Sequence, residues 1–392
     1  MLDTVRVRHT VVSGHMDATA TEVLRIEPGT DESEAVRAAS EVLRRGGLAA
    51  FPTETVYGIA ARADDPTAMA RLRAVKDRGA DRAFTVHIGQ PEQAASFVPD
   101  LSRLAARFCR KSWPGPLTLI VRVGNPSAAP IMARLNGSAA GAMYHKNTVG
   151  LRCPDHSVAR AMLDAVGAPV VAASANLAGE APPWTGSDVL RDLGGRIDLL
   201  IDAGRTKYAK PSTIVRVSDD RYEVVREGVY DARIVGQLAT VGILFVCTGN
   251  TCRSPMAAAL ASGILAERLG CRPDELEPRF GVVVASAGTS GGFGGAAEHA
   301  RTVLRARGHD LSAHQSRALT PELIRQADHI FAMTRAHREA ILAVAPSAAE
   351  RVRLLIEHED VQDPIGGTQQ EYESCAQRIE AALRARLQEI SL

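Results

Sequence analysis

No apolar run in this 392-residue chain reaches the ~18 residues of a membrane-spanning helix, and its first twenty residues, MLDTVRVRHTVVSGHMDATA, lack the apolar core of a secretion signal. No membrane contact is expected, and the cytoplasm is the expected compartment. Cysteine is sparse: the six, at positions 109, 153, 247, 252, 271 and 375, form no C-x-x-C pair. That argues against a disulfide framework and a zinc site and fits a reducing environment. A surplus of charge is also missing, with 46 Lys and Arg against 45 Asp and Glu and a formal net charge of +1. A balanced surface has no global field for holding DNA or an anionic membrane, so any nucleic-acid contact has to come from a local basic face.

What remains is the composition of a globular protein, 45% hydrophobic and 23% charged. At 392 residues the chain exceeds what one hydrophobic core fills, so two domains are expected. The reading is an N-terminal tail over 1–20, an α/β domain over 21–229, a linker over 230–240 and a second α/β domain over 241–392. The first opens with the helix EAVRAASEVLRRGG, stopped by glycines 46 and 47, and the strand LAAFPTETVYG. TLIVRV, VGLRCP, PVVAASAN, STIVRV and YEVVRE follow as short β-rich runs, which predicts a mixed, twisted sheet with antiparallel members. Residues 125–147, rich in Ala, Gly, Ser and Pro, read as a long surface loop of the kind that serves as a lid. From Val241 the strands VGILFVC, GVVVASAG, HIFAMT and VRLLI alternate with helices, the pattern of a doubly wound, four-stranded parallel sheet.

The second domain carries the more explicit chemistry. In ILFVCTGNTCRSPMAAAL a buried strand, a polar loop and a helix follow one another, and Cys247 and Arg253 bracket Thr248, Gly249, Asn250, Thr251 and Cys252. A C-x5-R spacing alone is weak, and a strand cysteine is often only a small hydrophobe. The strand-loop-helix setting changes that, because it aims several backbone N–H groups and a helix N-terminus at one point, which suits a phosphate and favours a thiolate nucleophile. Arg253 can clamp two phosphate oxygens with its planar fork. Gly249 is expected to permit the tight backbone path and Asn250 to hold a left-handed conformation. A proton donor for the leaving group is offered by Asp363 in the turn QDPIGG.

The order CTGNTCRSP, SAGT, HQSRALT, ADHIFAMT and DP followed by glycine resembles the low-molecular-weight protein phosphatase family over essentially all of 241–392. The resemblance implies Cys247 as nucleophile through a phosphocysteine, Arg253 as phosphate clamp, Ser254 as the hydroxyl that eases thiolate departure, and Asp363 as general acid and then base, with no metal required. Asn250, Ser286 and His314 are the implied loop supports, with an inert surface histidine as the plainer reading of His314. Tyrosine-directed members place an aliphatic residue two before the arginine and aromatics after Asp-Pro, whereas this chain has Thr251 and Ile365-Gly366. Thr251 and the glycine-rich turn resemble the protein-arginine phosphatase branch, although Ile365 stands where that branch often has phenylalanine. Phosphoarginine is therefore the favoured substrate and phosphotyrosine the alternative. Cys252 is either a disulfide partner for Cys247 under oxidation or simply a small residue at a loop-helix junction.

In the first domain no nucleophile stands out. PTETVYG places Thr53 and Thr55 on one face of a short strand and Glu54 on the other. AVKDRG offers Lys76 and Arg78 as a cationic pair for a polyphosphate, on one face if extended, and PVVAASAN ends in Ser174 and Asn176. Singly, each is more often a solvated face or a turn. In order, PTETVYG, Lys76-x-Arg78, WPGPLT, LRCP, SANLAG, KPSTIV and REG resemble the threonylcarbamoyl-adenylate synthase family over about residues 25–229. The resemblance implies condensation of L-threonine, bicarbonate and ATP, with Mg2+ accompanying the nucleotide, and use of the product in tRNA modification. It implies Lys76 and Arg78 at the phosphates, Ser174, Asn176, Ser212 and Arg226 around the nucleotide, Thr53 and Arg152 at the threonine, and Thr55 among the residues that bind ATP or threonine. After Arg78 the chain reads GADRAFTVHI, where the family commonly has a proline and a Pro-Leu step. A non-catalytic RNA-binding module is the alternative for this half, and tRNA or tRNA-modification proteins are the expected partner class alongside a phosphoprotein for the second half. No DNA partner is expected.

Overall fold

The computed structural model describes residues 5–9, 20–27, 29–79, 81–135, 139–292 and 294–390. Its contacts divide the chain into two units, Met1–Leu238 and Ala239–Leu392. Residues 1–4 and 10–19 of the expected tail lie outside the described residues, but the tail contributes β1 (Val5–His9), which pairs antiparallel with β2 (Thr21–Arg25).

The first unit is built on one mixed sheet. After β1 and β2 come β3 (Ala49–Phe51), β4 (Gly58–Arg62), β5 (Thr85–His87), β6 (Leu117–Arg122), β7 (Tyr144–His145), β8 (Thr148–Arg152), β9 (Val170–Ser174), β10 (Leu199–Asp202), β11 (Thr213–Ser218) and β12 (Arg221–Arg226). The order across the sheet is β1-β2-β10-β3-β4-β9-β5-β8-β6-β11-β12, with β7 paired to β8. Parallel pairs such as β5 with β8 and β6 with β11 alternate with antiparallel ones such as β4 with β9 and β6 with β8, so the expected mixed α/β sheet is present. The helix Ser33–Arg44 buries Ala35, Ala39, Val42 and Leu43 against the helix Ser157–Val166 and the strand residues Leu24, Phe51 and Ile201. It stops where Gly46 turns to φ +80°, a backbone that an L side chain rarely adopts; an added Cβ there would also sit 2.4 Å from Asp65 Oδ2.

Two expectations change here. PTETVYG is not a strand: residues 52–57 form a bent loop between β3 and β4. The stretch 125–147 is not a featureless loop either. It holds short 3-10 turns at Pro126–Ala128 and Pro130–Arg134, a helical turn Ala140–Met143 and β7, while 136–138 lie outside the described residues. Its apolar side chains anchor it, with Met143 fully buried and the Tyr144 hydroxyl donating to the Phe97 carbonyl at 2.9 Å. The linker stretch contains the helix Ala232–Ala239.

The second unit is a four-stranded parallel sheet of β13 (Val241–Cys247), β14 (Val282–Gly288), β15 (His329–Ala332) and β16 (Val352–Leu354), in the order β14-β13-β15-β16. β13 is buried along its whole length, and its period of two feeds two cores. Ile243, Phe245 and Cys247 join the helices Arg253–Leu269, Glu298–Arg305 and Gln369–Gln388 on one face, whereas Leu244 and Val246 join Pro321–Gln326 and Arg335–Val344 on the other. The doubly wound arrangement places the carboxyl end of β13, the central strand from which the order runs both ways, at the position where such sheets bind ligands. Among the described residues no helix is long and apolar enough to cross a membrane.

Candidate active sites

Cys247 closes β13, and the next five residues run into the helix that starts at Arg253. The Cys247 thiol is buried; its Sγ lies 3.0 Å from Ser254 Oγ and accepts from the Asn250 N–H at 3.3 Å. Asn250 is the left-handed residue of the loop, with φ +55°, as expected. Its amide nitrogen donates to Ser254 Oγ and Ser286 Oγ, both at 2.9 Å, and its side-chain oxygen accepts from the Arg317 N–H at 3.0 Å. His314 Nε2 bonds the Asn250 carbonyl at 2.8 Å, so His314 is a loop support and not an isolated surface histidine. The expectation for Gly249 is corrected: its backbone is not in the left-handed region, and an added Cβ would meet only Thr251 Oγ1 at an ordinary 3.4 Å. The glycine that the loop does require is Gly288 on the neighbouring strand, whose added Cβ would lie 2.4 Å from the Thr248 carbonyl oxygen and 2.9 Å from the Asn250 nitrogen.

Arg253 is 4% exposed and forms an ion pair with Asp363, so the cation and the carboxylate, 110 positions apart in sequence, face each other. It also donates to the Val361 carbonyl at 3.1 Å and to Thr248 Oγ1 at 3.3 Å, while its Nε is buried with no partner among the described residues. Buried donors without a partner are uncommon in folded proteins. Asp363 Oδ1 accepts from the Ile365 N–H at 3.2 Å, and the Ile365 side chain is 68% exposed. Thr251 Oγ1 and the Tyr372 hydroxyl flank Cys252 Sγ at 3.5 and 3.2 Å; all six cysteines are free thiols. The sequence reading did not single out Gly288, Tyr372 or His337. His337 lies three residues into the helix whose cap is Thr334, and no sequence signal marks it as a site residue.

In the first unit the loop 52–57, β8 and β6 converge. Arg152, at the end of β8, donates to Thr55 Oγ1 at 2.5 Å, to Glu54 Oε1 at 3.1 Å and to Thr53 Oγ1 at 3.4 Å, and the two threonine hydroxyls are 2.9 Å apart. Because 52–57 is a bent loop, the pleat rule does not apply, and Glu54 turns toward the same guanidinium as the threonines. Both charges are buried, at 7% and 1% side-chain exposure, and Glu54 is further satisfied by the Asp155 N–H at 3.0 Å. Arg152 Nε is buried with no partner among the described residues.

Lys76 and Arg78 are not extended side by side. Lys76 caps the helix Pro66–Val75, Asp77 turns left-handed with φ +44°, and the two cations diverge. Lys76 Nζ reaches the Ser174 carbonyl at 2.9 Å, the Asn176 carbonyl, and Asn176 Oδ1 at 3.1 Å, and Ser174 Oγ donates to Asn176 Oδ1 at 2.6 Å. Burial, with Arg78 adding repulsion, pushes Lys76 down to about 8. Arg78 stacks over the Phe84 ring at 4.5 Å and donates to the Ala83 carbonyl; burial also lowers it. On the far side of the sheet order, Ser212 Oγ meets Thr118 Oγ1 at 3.0 Å, and Arg226 donates to the Ser212 carbonyl at 2.8 Å. The residues singled out in sequence thus form one group of Thr53, Thr55 and Arg152, adjoined through Thr118 by Ser212 and Arg226, and another of Lys76, Ser174 and Asn176. Arg78 stands apart on Phe84.

The molecule therefore has a polar, cation-bearing sheet site in one unit and a thiol-bearing phosphate loop in the other. Residues 41–228 match the family model for Sua5, YciO and YrdC, described as telomere recombination, and residues 242–391 match that for low molecular weight phosphotyrosine protein phosphatase. A threonylcarbamoyl-AMP synthase of Chromohalobacter salexigens is 35% identical over 184 residues, covering 47% of this chain and 93% of that protein. One from Pyrococcus abyssi is 29% identical over 224 residues, 56% of this chain, and the chain spans 63% of that relative's length. A solved Bacillus subtilis YwlE mutant is 36% identical, covers 38% of this chain and 100% of its own, and has a TM-score of 0.34; another YwlE structure is described as an arginine phosphatase. The chain belongs to the threonylcarbamoyl-AMP synthase family, and in it a Sua5/YrdC domain is fused to a low-molecular-weight phosphatase domain.

Proposed function

We propose that the chain is a bifunctional enzyme. The second unit hydrolyses phosphoproteins, phosphoarginine before phosphotyrosine, and the observation that carries this is the Cys247–Arg253 loop with Asp363 set against Arg253. An entering phosphate takes the place of the Asp363 carboxylate on the guanidinium and fills the open Nε–H. The Cys247 thiolate forms an S–P bond as the P–N bond breaks, and Asp363 in its acid form gives its proton to the leaving nitrogen. Asp363 then takes a proton from water as the water oxygen attacks phosphorus. The S–P bond breaks with Ser254 Oγ, 3.0 Å from the sulfur, easing the thiolate away. Thr251 and the exposed Ile365, in place of aromatic walls, support the phosphoarginine preference.

The first unit joins L-threonine, bicarbonate and ATP to L-threonylcarbamoyladenylate and releases pyrophosphate, and the product serves tRNA modification. Arg152, with an open Nε–H beside two threonine hydroxyls, suits the carboxylate and hydroxyl of threonine. Lys76 and Arg78 suit the phosphates, and Ser174, Asn176, Ser212 and Arg226 the rest of the nucleotide. The described residues include no cluster of three or more His, Cys, Asp or Glu able to hold a metal, so magnesium would arrive on the nucleotide's own phosphates and water. The free cysteines support a reducing, cytoplasmic setting.

The test measures kcat/KM on matched phosphoarginine and phosphotyrosine peptides beside Cys247→Ser, and pyrophosphate release with each of threonine, bicarbonate and ATP omitted in turn. Expected are a Cys247-dependent preference for phosphoarginine and release that needs all three substrates. A preference for phosphotyrosine would make the second unit a tyrosine phosphatase, and RNA binding without any release would make the first a binding module.

A further inference from the structure

Outside the phosphate loop, one buried side chain is wired into it. His337 is 6% exposed, in the helix Arg335–Val344 that follows β15. Its Nδ1 lies 2.8 Å from Thr334 Oγ1 and its Nε2 lies 2.9 Å from Thr248 Oγ1, and the same Thr248 oxygen accepts from Arg253 Nη2 at 3.3 Å. A guanidinium can only donate, so Thr248 Oγ1 accepts from Arg253, and its own hydroxyl proton is free to point at His337 Nε2. In that arrangement Nε2 is the unprotonated nitrogen and Nδ1–H donates to Thr334 Oγ1. The charged groups facing His337 are Arg253, Asp363 and Asp360; burial first, and Arg253 second, outweigh the two carboxylates and hold the imidazole down at about 4. The imidazole is therefore neutral at neutral pH.

We propose that His337 is a positioning residue of the phosphatase: by accepting the Thr248 hydroxyl proton it turns a Thr248 lone pair to Arg253 and holds the guanidinium in the plane that grips phosphate. The inference rests on the phosphatase reading of the second unit. The plainer role for His337 is to complete the cap of its own helix, since Thr334 Oγ1 also accepts from the His337 N–H at 3.3 Å. The two roles separate by acceptor chemistry. Glutamine at 337 can present an oxygen where Nε2 stood, whereas leucine fills the volume and offers nothing to Thr248.

The experiment uses the full chain and a phosphoarginine peptide, with wild type, Cys247→Ser, His337→Leu, His337→Gln, Thr248→Val and the Thr248→Val/His337→Leu double variant, each with kcat, KM and a thermal midpoint. His337→Leu is expected to lower kcat about tenfold with KM changed less than about threefold, the size of one lost hydrogen bond in the transition state. His337→Gln should recover to within about threefold of wild type. The double variant should be no worse than Thr248→Val alone, because both cut the same chain. Equal losses in the Leu and Gln variants, or losses that add in the double variant, would overturn the relay, and so would a His337→Leu rate within twofold of wild type. Should His337→Leu not fold, Thr248→Val carries the test, and its failure to slow kcat refutes the inference. Absence of Cys247-dependent hydrolysis in wild type would instead bring down the phosphatase reading, and this inference with it.

Discussion

Gly288→Ala is the smallest change that addresses the phosphate loop from outside. The added methyl would meet the Thr248 carbonyl oxygen at 2.4 Å, the Asn250 nitrogen at 2.9 Å and the Gly249 carbonyl carbon at 3.0 Å, all of them backbone atoms of the loop. No side chain can rotate away, so the carbonyl has to retreat by about 1 Å to reach ordinary contact, and it carries the neighbouring N–H groups with it. A misplacement of that size at a preorganised site costs about a hundredfold in rate, equivalent to roughly 2.7 kcal/mol of transition-state binding. Overpacking of one methyl costs about 1–3 kcal/mol of stability, so the unit should stay folded. The assay is steady-state hydrolysis of phosphoarginine and phosphotyrosine peptides, with thermal unfolding as the folding control and pyrophosphate release by the first unit as an internal standard. A folded Gly288→Ala protein with kcat/KM within threefold of wild type would refute the claim that this contact sets the loop.

Two further outcomes follow from the first unit. Arg152→Met leaves the 1%-exposed Glu54 carboxylate without its cation, which should cost about 3–5 kcal/mol and lower the thermal midpoint by at least ~6 °C, partly restored by adding Glu54→Gln; a smaller shift would mean that water or another group compensates. Lys76 is lowered to about 8 in the folded chain against 10.5 unfolded, so between those values the unfolded chain holds a proton that the folded one lacks, and stability rises with pH across that window. Melting scans from pH 7.5 to 10.5 should show that rise in wild type and less of it in Lys76→Met. Parallel curves would contradict the burial that lowers Lys76.

Much of this was legible from residues alone. The alternating strands and helices after Val241 predict the parallel sheet, because a strand whose two faces are both buried reads as a continuous apolar run, and β13 is such a strand. The C-x5-R spacing at a strand-helix junction locates the phosphate loop, and a left-handed Asn250 is what a polar, short side chain permits. These are local properties, set by period and by the conformational reach of single residues.

Tertiary contacts decided the rest. Asp363 meets Arg253, His337 meets Thr248 and Gly288 makes room for the loop only because β14, β15 and the turn after β16 converge on the end of β13. In the first unit, Glu54 shares a face with Thr53 and Thr55 because a buried guanidinium has to be paired, and that demand outweighs strand alternation in a loop with no ladder to enforce it. Lys76 and Arg78 diverge because the helix ends between them and the left-handed Asp77 turns the chain. Period and propensity act over a few positions, so they set which runs became strands and helices and which residue types each could offer. Which polar groups meet was left to the packing of distant strands, because hydrogen bonds and ion pairs act over a few ångströms in space, whatever the separation along the chain.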